Sequence, residues 1–415
     1  MHVIVVGAGV VGLTTAWFLH RAGHRVTVVD AAAGPGLGTS RANGAQLSYS
    51  YVAPLASPDV LPALPKYLLD AGSPMRLKLQ FDPAQWRWGI EFLLACTRSR
   101  AEATTRQLLA LAYLSRDLLR DAVDAEGFDF SYARSGKLVV YSSVAGFDAA
   151  RRQMDFQQAL GSEQQALDRD ACLATEPALA QIAHRLVGGI YTPSEDAGDC
   201  HLFCAAIDGR LRRHNQPVEF RYGLPVERLV AEGSRIRGVA TAEGVIEGDA
   251  VVLAAGMGAR RLAAGIGLRL PIYPLKGYSL TLPVTDAAAV PQVSITDADR
   301  KVVYARLGET LRVAGIADMV GEDLTLEPER LRQLTGEARA AFGRGVDFSD
   351  PQPWCGLRPA TPTGLPVIGR TRYRNLLLNC GHGALGFTLA MGAAKLVSAM
   401  IDNAPLPIPA EPYRL

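Results

Sequence analysis

The chain has 415 residues, of which 48% are hydrophobic and 20% are charged, a balance typical of soluble globular proteins. The length is more than one domain usually holds, so two domains are predicted. The 43 basic and 41 acidic residues give a net charge of +2, which excludes an electrostatic partnership with nucleic acid.

The first thirty residues follow a strand–helix–strand pattern. Residues 2–6 are a short apolar strand, and the following helix runs to about Ala22, with Gly23 as its C-terminal cap. A second strand, residues 25–29, ends at Asp30. No segment reaches the ~20 apolar residues that a membrane-spanning helix needs. We therefore expect a cytoplasmic protein, at most attached peripherally to the inner face of the cell membrane.

A glycine pattern joins the first strand to the helix. Gly7 permits a tight turn, Gly9 lets the backbone approach a pyrophosphate, and Gly12 lets the helix pack closely on the strand. The helix N-terminus attracts phosphate, and Asp30 is placed to accept hydrogen bonds from a ribose. The neighbouring residues predicted to contact this dinucleotide are Val10, Val11 and Ala31.

The choice between FAD and NAD depends on the rest of the chain. Residues 249–256 resemble the strand that returns to the pyrophosphate in flavoproteins, which assigns Ala255 and Gly256 to the cofactor site. No second glycine pattern follows a strand, so the sequence predicts a tightly bound FAD and no nicotinamide site.

The middle of the chain alternates between helix and strand patterns. An amphipathic helix is predicted over residues 107–123, strands over 134–141 and 186–191, and a strand-rich region over 272–316. Cys200 and Cys204 flank His201, but they are interpreted as buried small residues on a helix, so no metal site is predicted.

The end of the chain returns to the dinucleotide pattern. Residues 376–379 are a buried strand, followed by a glycine-rich turn and a helix to about Met400. The predicted fold is therefore α/β, with a Rossmann-like FAD-binding domain interleaved with an α+β substrate domain on a mostly antiparallel sheet. The predicted division is 1–50, 192–268 and 350–415 for the FAD-binding domain, with 51–191 and 269–349 for the substrate domain.

Several further motifs are spread over the whole chain. They are Gly38-Thr39-Ser40, Ala42-Asn43-Gly44, Tyr51-x-Ala53-Pro54, Gly198-Asp199-Cys200, Pro274 to Ser279, Gly356-Leu357-Arg358-Pro359, Thr361-Pro362 and Gly381-His382-Gly383-x-Leu385-Gly386. With these motifs the chain resembles the small-subunit type of bacterial D-amino acid dehydrogenase, within the D-amino acid oxidase and glycine oxidase group.

The resemblance implies which residues hold the FAD. Val226 is expected to contact the adenine through its backbone, and the start of the last helix is expected to face the pyrimidine edge of the flavin, where reduction places negative charge. The residues implied in this way are Thr39, Ser40, Asn43, Gly44, Ala45, Gln46, Leu47, Val226, Gly383, Ala384, Leu385, Gly386, Phe387 and Thr388. Cys355 stands one position away from the cysteine that carries covalent flavin in some relatives, so non-covalent FAD is expected.

The resemblance also implies the substrate site. Arg358 is predicted to bind the carboxylate of an amino acid bidentately. For Tyr51 and Tyr278, a hydroxyl contact to that carboxylate competes with plain packing. For Lys276, an influence on the flavin competes with a structural hydrogen bond. Thr363 stands where these enzymes usually carry aspartate, which leaves the substrate range open.

The implied reaction is oxidation of a D-amino acid by hydride transfer from Cα to flavin N5, giving a 2-oxo acid and ammonia after hydrolysis. The electrons are expected to pass to a quinone-type acceptor. Alternatives that stay open are a D-proline or cis-4-hydroxy-D-proline dehydrogenase within a larger complex, a non-catalytic FAD electron-transfer module and, more weakly, an NAD-dependent dehydrogenase. Residues 75–100 mix aromatic and basic side chains, so membrane contact and a half-buried helix are equally favoured.

Overall fold

A computed structural model describes residues 1–70 and 72–415 of the chain. In these residues the strands are, in chain order, β1 His2–Val6, β2 Arg25–Val29, β3 Gln46–Leu47, β4 Met75–Leu77, β5 Lys137–Tyr141, β6 Gln165–Asp168, β7 Gly188–Thr192, β8 Asp196–Ala197, β9 Glu219–Arg221, β10 Arg228–Glu232, β11 Arg235–Thr241, β12 Gly244–Glu247, β13 Ala250–Leu253, β14 Tyr273–Pro283, β15 Ser294–Asp297, β16 Val302–Leu307, β17 Thr310–Met319, β18 Gln352–Ala360, β19 Val367–Arg370 and β20 Leu376–Cys380. The α-helices are α1 Val10–Arg21, α2 Leu64–Leu69, α3 Pro83–Ala95, α4 Arg98–Glu126, α5 Val144–Gln158, α6 Arg169–Thr175, α7 Cys200–Arg212, α8 Gly258–Ala264, α9 Pro328–Phe342 and α10 Gly386–Asp402.

The first layer is a six-stranded sheet in the order β19-β20-β13-β1-β2-β9. All of its pairs are parallel except β19 with β20. The crossover from β1 through α1 to β2 lies at its centre, as the sequence predicted. α1 ends at Arg21, and Gly23 follows with φ +85°, a conformation that glycine adopts without strain.

Helices α1, α4, α7 and α10 share one apolar core on one face of this sheet. α4 is 29 residues long and begins at Arg98, before the predicted start at residue 107. The prediction started late because the first turns of the helix are polar and carry no apolar periodicity. Leu108, Leu111 and Leu119 place it in the apolar core of the FAD-binding layer, where it packs on α10, although the predicted division assigned it to the substrate domain.

The segment Gly383–Asp402 corrects the expectation that no stretch is long and apolar enough to span a membrane. By length and composition it passes that test, but 78% of its most apolar window is buried inside the protein. Its apolar residues, among them Leu389, Leu396 and Val397, fill the core between the sheet and α4.

The second layer is a nine-stranded sheet that follows the order β18-β14-β17-β16-β15-β5-β7-β6, with β4 paired to β17. Its pairs are antiparallel except β15 with β5 and β17 with β4. α9 packs on the back face, where Tyr278, Leu280 and Val313 form an apolar core. The front face faces the first layer.

The predicted α/β fold with two interleaved units is confirmed by this arrangement. One boundary differs. β18 was assigned to the FAD-binding domain, which was predicted to resume at residue 350, but it forms the edge of the nine-stranded sheet. The chain therefore returns to the first layer only after Ala360.

α3 is the half-buried helix that was one interpretation of residues 75–100, and membrane contact stays a prediction. Trp88 and Phe92 are buried against Tyr273, so one side of the helix is core. The opposite side exposes Trp86 and Ile90, and further exposed apolar side chains nearby are Leu79, Phe81, Leu93 and Leu94. We call this set the α3 apolar face.

Candidate active site

A cavity of about 700 Å³, called here the central cavity, lies between the two layers. It opens at the carboxyl ends of β1, β13 and β20, where parallel α/β sheets bind their ligands. Predicted site residues that line it are Gly9, Val10, Val11, Ala31, Thr39, Ser40, Asn43, Gly44, Ala255, Gly256, Tyr278, Arg358, Gly383, Ala384, Gly386 and Phe387.

The N-terminus of α1 points its free N–H groups at this cavity. Gly9 is the N-cap and supplies no side-chain cap, while Val10 N donates to Ser40 Oγ at 3.1 Å. Gly7 and Gly12 do not line the cavity but allow the turn. Gly7 has φ +113°, and a Cβ at Gly12 would overlap the Gly7 carbonyl. The result is an uncapped helix end of the kind that binds pyrophosphate.

The end of β2 fixes Asp30 beside this turn. Its carboxylate accepts from Ala8 N at 2.6 Å and from Ala32 N at 2.7 Å. Leu224 N donates to the Asp30 carbonyl, which brings the segment before β10 alongside. In that segment Val226 is buried, and in the described residues its backbone N–H and carbonyl make no hydrogen bond. An adenosine is the part of FAD that fits these groups.

The loop after Gly38 forms a second side of the cavity. Thr39 Oγ1 donates to the Leu357 carbonyl at 2.9 Å, and the guanidinium of Arg312 donates to the Asn43 carbonyl at 2.9 Å. These bonds tie the loop to the nine-stranded sheet. Asn43 Oδ1 also accepts from Ala45 N, which helps hold Ala45 at φ +57°.

Three predicted cofactor residues turn away from the cavity. Ala45 is buried, with its carbonyl accepting from Gly198 N. The Gln46 amide donates to the Ile295 carbonyl, and the Leu47 side chain packs in the core of the first layer. Because alternate residues of a strand face opposite sides, the side chains of Gln46 and Leu47 cannot both face a flavin.

A second open helix end lies across the cavity. A single 3₁₀ turn, Gly383–Leu385, leads into α10, and neither has a side-chain cap. Leu385 packs on the core, and Thr388 Oγ1 accepts from Ser48 N at 3.1 Å, so these two residues support the turn from behind.

Two buried polar atoms on the wall, Asn379 Oδ1 and His382 Nε2, have no hydrogen-bond partner among the residues that the structure describes. Burial lowers the pKa of His382 to about 3, so its imidazole is neutral near pH 7. Orphaned polar atoms beside two uncapped helix ends fit a large ligand that carries phosphates and polar ring atoms. FAD meets that description.

Arg358 is the charged side chain among the lining residues. Its guanidinium donates to the Ile316 carbonyl at 3.2 Å and has no carboxylate within salt-bridge distance in the described part of the chain. Burial lowers its pKa, with Asp318 acting in the opposite direction, yet an arginine remains charged at neutral pH. A buried guanidinium without an anion favours binding of a carboxylate.

The backbone around Arg358 is shaped to hold it. Gly277 has no side chain, and a Cβ there would overlap the guanidinium. Opposite, β17 bulges between Gly315 and Asp318, and Ile316 takes φ +61°. A β-branched residue is strained in that conformation, and the bulge presents the carbonyl that accepts from Arg358.

Two of the predicted catalytic side chains lie on the back face of the sheet. The Tyr278 hydroxyl is 3.4 Å from Asp318 Oδ2, and the Lys276 ammonium donates to Asp323 Oδ2 at 3.0 Å. Since Gly277 between them faces Arg358, strand alternation turns both functional groups to the other face of the sheet, although Tyr278 still contributes to the cavity lining. The position of the Tyr278 hydroxyl favours the packing alternative over contact with a substrate carboxylate, and Lys276 makes the structural hydrogen bond that was its alternative.

Tyr51 lies elsewhere as well. Its ring packs under the Lys137 ammonium, 4.3 Å from the ring centroid, and it does not line the central cavity. Lys137 in turn donates to Ser48 Oγ at 2.7 Å. Of the four predicted catalytic residues, only Arg358 places its functional group at the cavity.

Sequence reasoning missed several lining residues. Asn379 carried a signal, because it is the one polar residue in an otherwise apolar strand that leads into the Gly381 turn. Ala314, which lines the cavity, carried no signal, and neither did Ile316, whose carbonyl accepts from Arg358, because a β-branched residue does not indicate a bulge in a strand.

The family described as FAD dependent oxidoreductase (DAO) matches residues 2–400 of this chain. The chain belongs to this family. Membership confirms the predicted resemblance, the predicted oxidoreductase class and FAD as the cofactor; its non-covalent attachment stays a prediction.

Curated relatives within the family are close. The chain is 50% identical to D-amino acid dehydrogenase 2 of Ralstonia nicotianae, with 100% of both chains covered. It is 48% identical to D-amino acid dehydrogenase 2 of Pseudomonas aeruginosa, covering 97% of this chain and 95% of that one.

Solved structures share the fold. L-proline dehydrogenase from P. horikoshii superposes with a TM-score of 0.78 at 17% identity, covering 100% of this chain and 96% of that one. Glycine oxidase from Geobacillus kaustophilus gives a TM-score of 0.78 at 20% identity, covering 100% and 97%.

Proposed function

We propose that this protein oxidises D-amino acids to imino acids, which water hydrolyses to 2-oxo acids and ammonia. The observation that carries the proposal is the guanidinium of Arg358, which lines the central cavity with no carboxylate partner in the described residues. Relatives named D-amino acid dehydrogenase, at 50% and 48% identity over nearly the whole chain, support the D configuration.

Arg358 orients the substrate. One of its N–H groups is held by the Ile316 carbonyl, and the others are available to bind both oxygens of an α-carboxylate. A carboxylate fixed at two points leaves the Cα–H of the amino acid a narrow range of directions, and orientation of this kind lowers the barrier. Bound FAD supplies the hydride acceptor, at N5 of its ring.

The cavity supplies no strong base. In the described residues, no Asp or Glu side chain lines it, and His382 stays neutral but is too weak a base, with a pKa of about 3. The amino group of the substrate must therefore arrive already neutral. The rate of reduction is expected to rise with pH through one ionisation, that of the substrate amine.

The test is anaerobic reduction of the protein with its FAD bound, followed by loss of the flavin band near ~450 nm. The substrates are D-alanine, L-alanine, D-proline and cis-4-hydroxy-D-proline. Bleaching by D-alanine and not L-alanine is the expected result. Faster bleaching by the cyclic substrates would assign the protein to that class instead, and no bleaching by any amino acid would leave an electron-transfer module.

An Arg358→Lys variant sharpens the test. Lysine keeps the charge but cannot bind a carboxylate in the bidentate geometry, so the half-saturating D-alanine concentration should rise about 10- to 100-fold. The rate of bleaching by an uncharged amine without a carboxylate should not change. Equal loss for both substrates would contradict the role of Arg358.

The electron acceptor is proposed to be a quinone at the inner face of the cell membrane, reached from the cytoplasm. The α3 apolar face supports this, because Trp86 and Ile90 stand exposed with Arg87 and Lys78 close by in sequence. Exposed aromatic and aliphatic side chains flanked by cations suit the boundary of a bilayer.

A further inference from the structure

A second depression, the α3–α8 groove, has a volume of about 430 Å³ and lies outside the central cavity. α3 forms one wall, α8 the other, and the segment 267–272 the floor. Its solvent-accessible apolar lining includes Pro83, Ala264 and Pro271, which lie over the buried side chains of Trp88, Leu270 and Ile272.

The rim of the groove is cationic. Arg269 pairs with Glu91 at 2.9 Å. Arg87 and Arg260 have no salt-bridge partner among the described residues, and Arg260 lies 5.8 Å from the centre of the Tyr273 ring. Unpaired guanidinium groups beside an apolar floor favour a ligand that is largely apolar and accepts hydrogen bonds at its edge.

The groove and the central cavity share a thin wall. Trp88 Nε1 donates to the Ala360 carbonyl at 2.9 Å, and Ala360 pairs with His382 across a β-bridge. Gly381 packs on Ile272, since a Cβ at Gly381 would stand 3.6 Å from it. His382 and Gly381 line the central cavity, so a single layer of residues separates the two sites.

The groove also adjoins the α3 apolar face. Trp88 and Glu91 of α3 point into the groove, while Trp86 and Ile90 of the same helix are exposed. A ligand with a polar ring and a long apolar tail can place the ring in the groove and the tail along this face. Among two-electron carriers, an isoprenoid quinone has this shape and carries two carbonyl acceptors.

We propose that the α3–α8 groove is the site at which a quinone takes electrons from the reduced cofactor. Two electrons and two protons leave the reduced FAD, restoring the oxidised form, and convert both quinone carbonyls to hydroxyls. Arg87 and Arg260 donate hydrogen bonds to the carbonyl oxygens, and the apolar floor packs against the ring. This inference rests on the proposed function, because the D-amino acid must first reduce the flavin.

The test uses the protein with FAD bound, a water-soluble short-chain ubiquinone and the variant Ala264→Trp. Ala264 is an exposed residue of the groove, and an indole there occupies the space of the ring. Ala287→Trp is the matched control, because Ala287 is exposed and distant in sequence from both walls. Binding is measured by calorimetry, and reoxidation of the reduced protein by anaerobic stopped flow.

Ala264→Trp should weaken quinone binding at least 10-fold and slow reoxidation by the same factor, while Ala287→Trp behaves as the unaltered protein. Arg260→Gln should weaken binding without filling the groove. Unchanged binding and reoxidation in both groove variants would overturn the inference. So would binding of glycerol phosphate, a lipid headgroup, in place of the quinone. If D-amino acids do not bleach the flavin of the unaltered protein, the proposed function is overturned instead.

Discussion

Two features fix the position of the Arg358 guanidinium: the space left by Gly277, which has no side chain, and a hydrogen bond to the Ile316 carbonyl. Gly277 leaves the space that the guanidinium fills, and the Ile316 carbonyl accepts one of its N–H groups. Gly277, which lacks a Cβ, and Ile316, which is strained at φ +61°, therefore define where a carboxylate binds.

Replacing Gly277 with alanine tests this. The new methyl group overlaps the guanidinium, so Arg358 must move, and the KM for the amino acid should rise about 10-fold or more while FAD stays bound. Gly336→Ala in α9 is the control, because nothing surrounds that position and the helix gains stability. Unchanged KM in Gly277→Ala would show that Arg358 does not bind substrate where it stands.

His382 makes stability depend on pH. Its pKa falls from 6.5 when unfolded to about 3 when folded, because burial disfavours the charged imidazole. Between these values the unfolded chain binds a proton that the folded one does not, so stability is lost as pH falls from 6.5. The loss is about 2 kcal/mol between pH 6.5 and 5.

Urea unfolding at pH 7 and pH 5 measures this loss. In His382→Gln the difference between the two pH values should shrink by about 2 kcal/mol. In His214→Gln, which changes an exposed histidine, it should stay as in the unaltered protein. The same pH dependence in His382→Gln as in the unaltered protein would rule out burial of a neutral imidazole.

At the scale of elements, one carboxylate joins three segments. Asp199 caps α7 by accepting from His201 N and Leu202 N, and its other oxygen pairs with Arg312 of β17 at 3.2 Å. Arg312 also donates to the Asn43 carbonyl in the loop after Gly38. The α7 cap, β17 of the nine-stranded sheet and the loop after Gly38 thus depend on a single side chain.

Asp199→Ala should cost about 3–5 kcal/mol of unfolding free energy and weaken FAD binding, because it leaves Arg312 buried without a counter-charge. Asp199→Asn retains a cap and should cost less. Asp168→Ala removes a cap alone, at the start of α6, and should cost about 1 kcal/mol. Equal losses in Asp199→Ala and Asp168→Ala would mean that the ion pair contributes nothing.

Sequence patterns predicted elements well where the signal is local. The β1–α1–β2 crossover was predicted from its glycines and apolar runs, and the last helix from its own composition. The first turns of α4, residues 98–106, were missed because these polar turns carry no apolar periodicity. Tyr278 and Lys276 were misplaced because a motif says which strand a residue is on, and the register decides which face it occupies.

At the scale of the whole molecule, the α3 apolar face gives one side of the protein a concentration of exposed apolar side chains. Replacing Trp86 and Ile90 together with serine should reduce co-sedimentation with anionic lipid vesicles about 10-fold or more, since each apolar side chain contributes to insertion. Leu202→Ser with Val245→Ser, two exposed apolar residues elsewhere, should sediment as before. Equal sedimentation of both double variants would exclude membrane contact through α3.

The order of strands in the first layer has a consequence for synthesis. β1, made first, pairs on one side with β2 and on the other with β13, and β13 waits in turn for β20, which begins at residue 376. During synthesis, β1 therefore has a partner strand on only one side until β13, which begins at residue 250, has emerged from the ribosome. Because such edges recruit other chains, dependence on chaperones is expected to end only once the last tenth of the polypeptide has emerged.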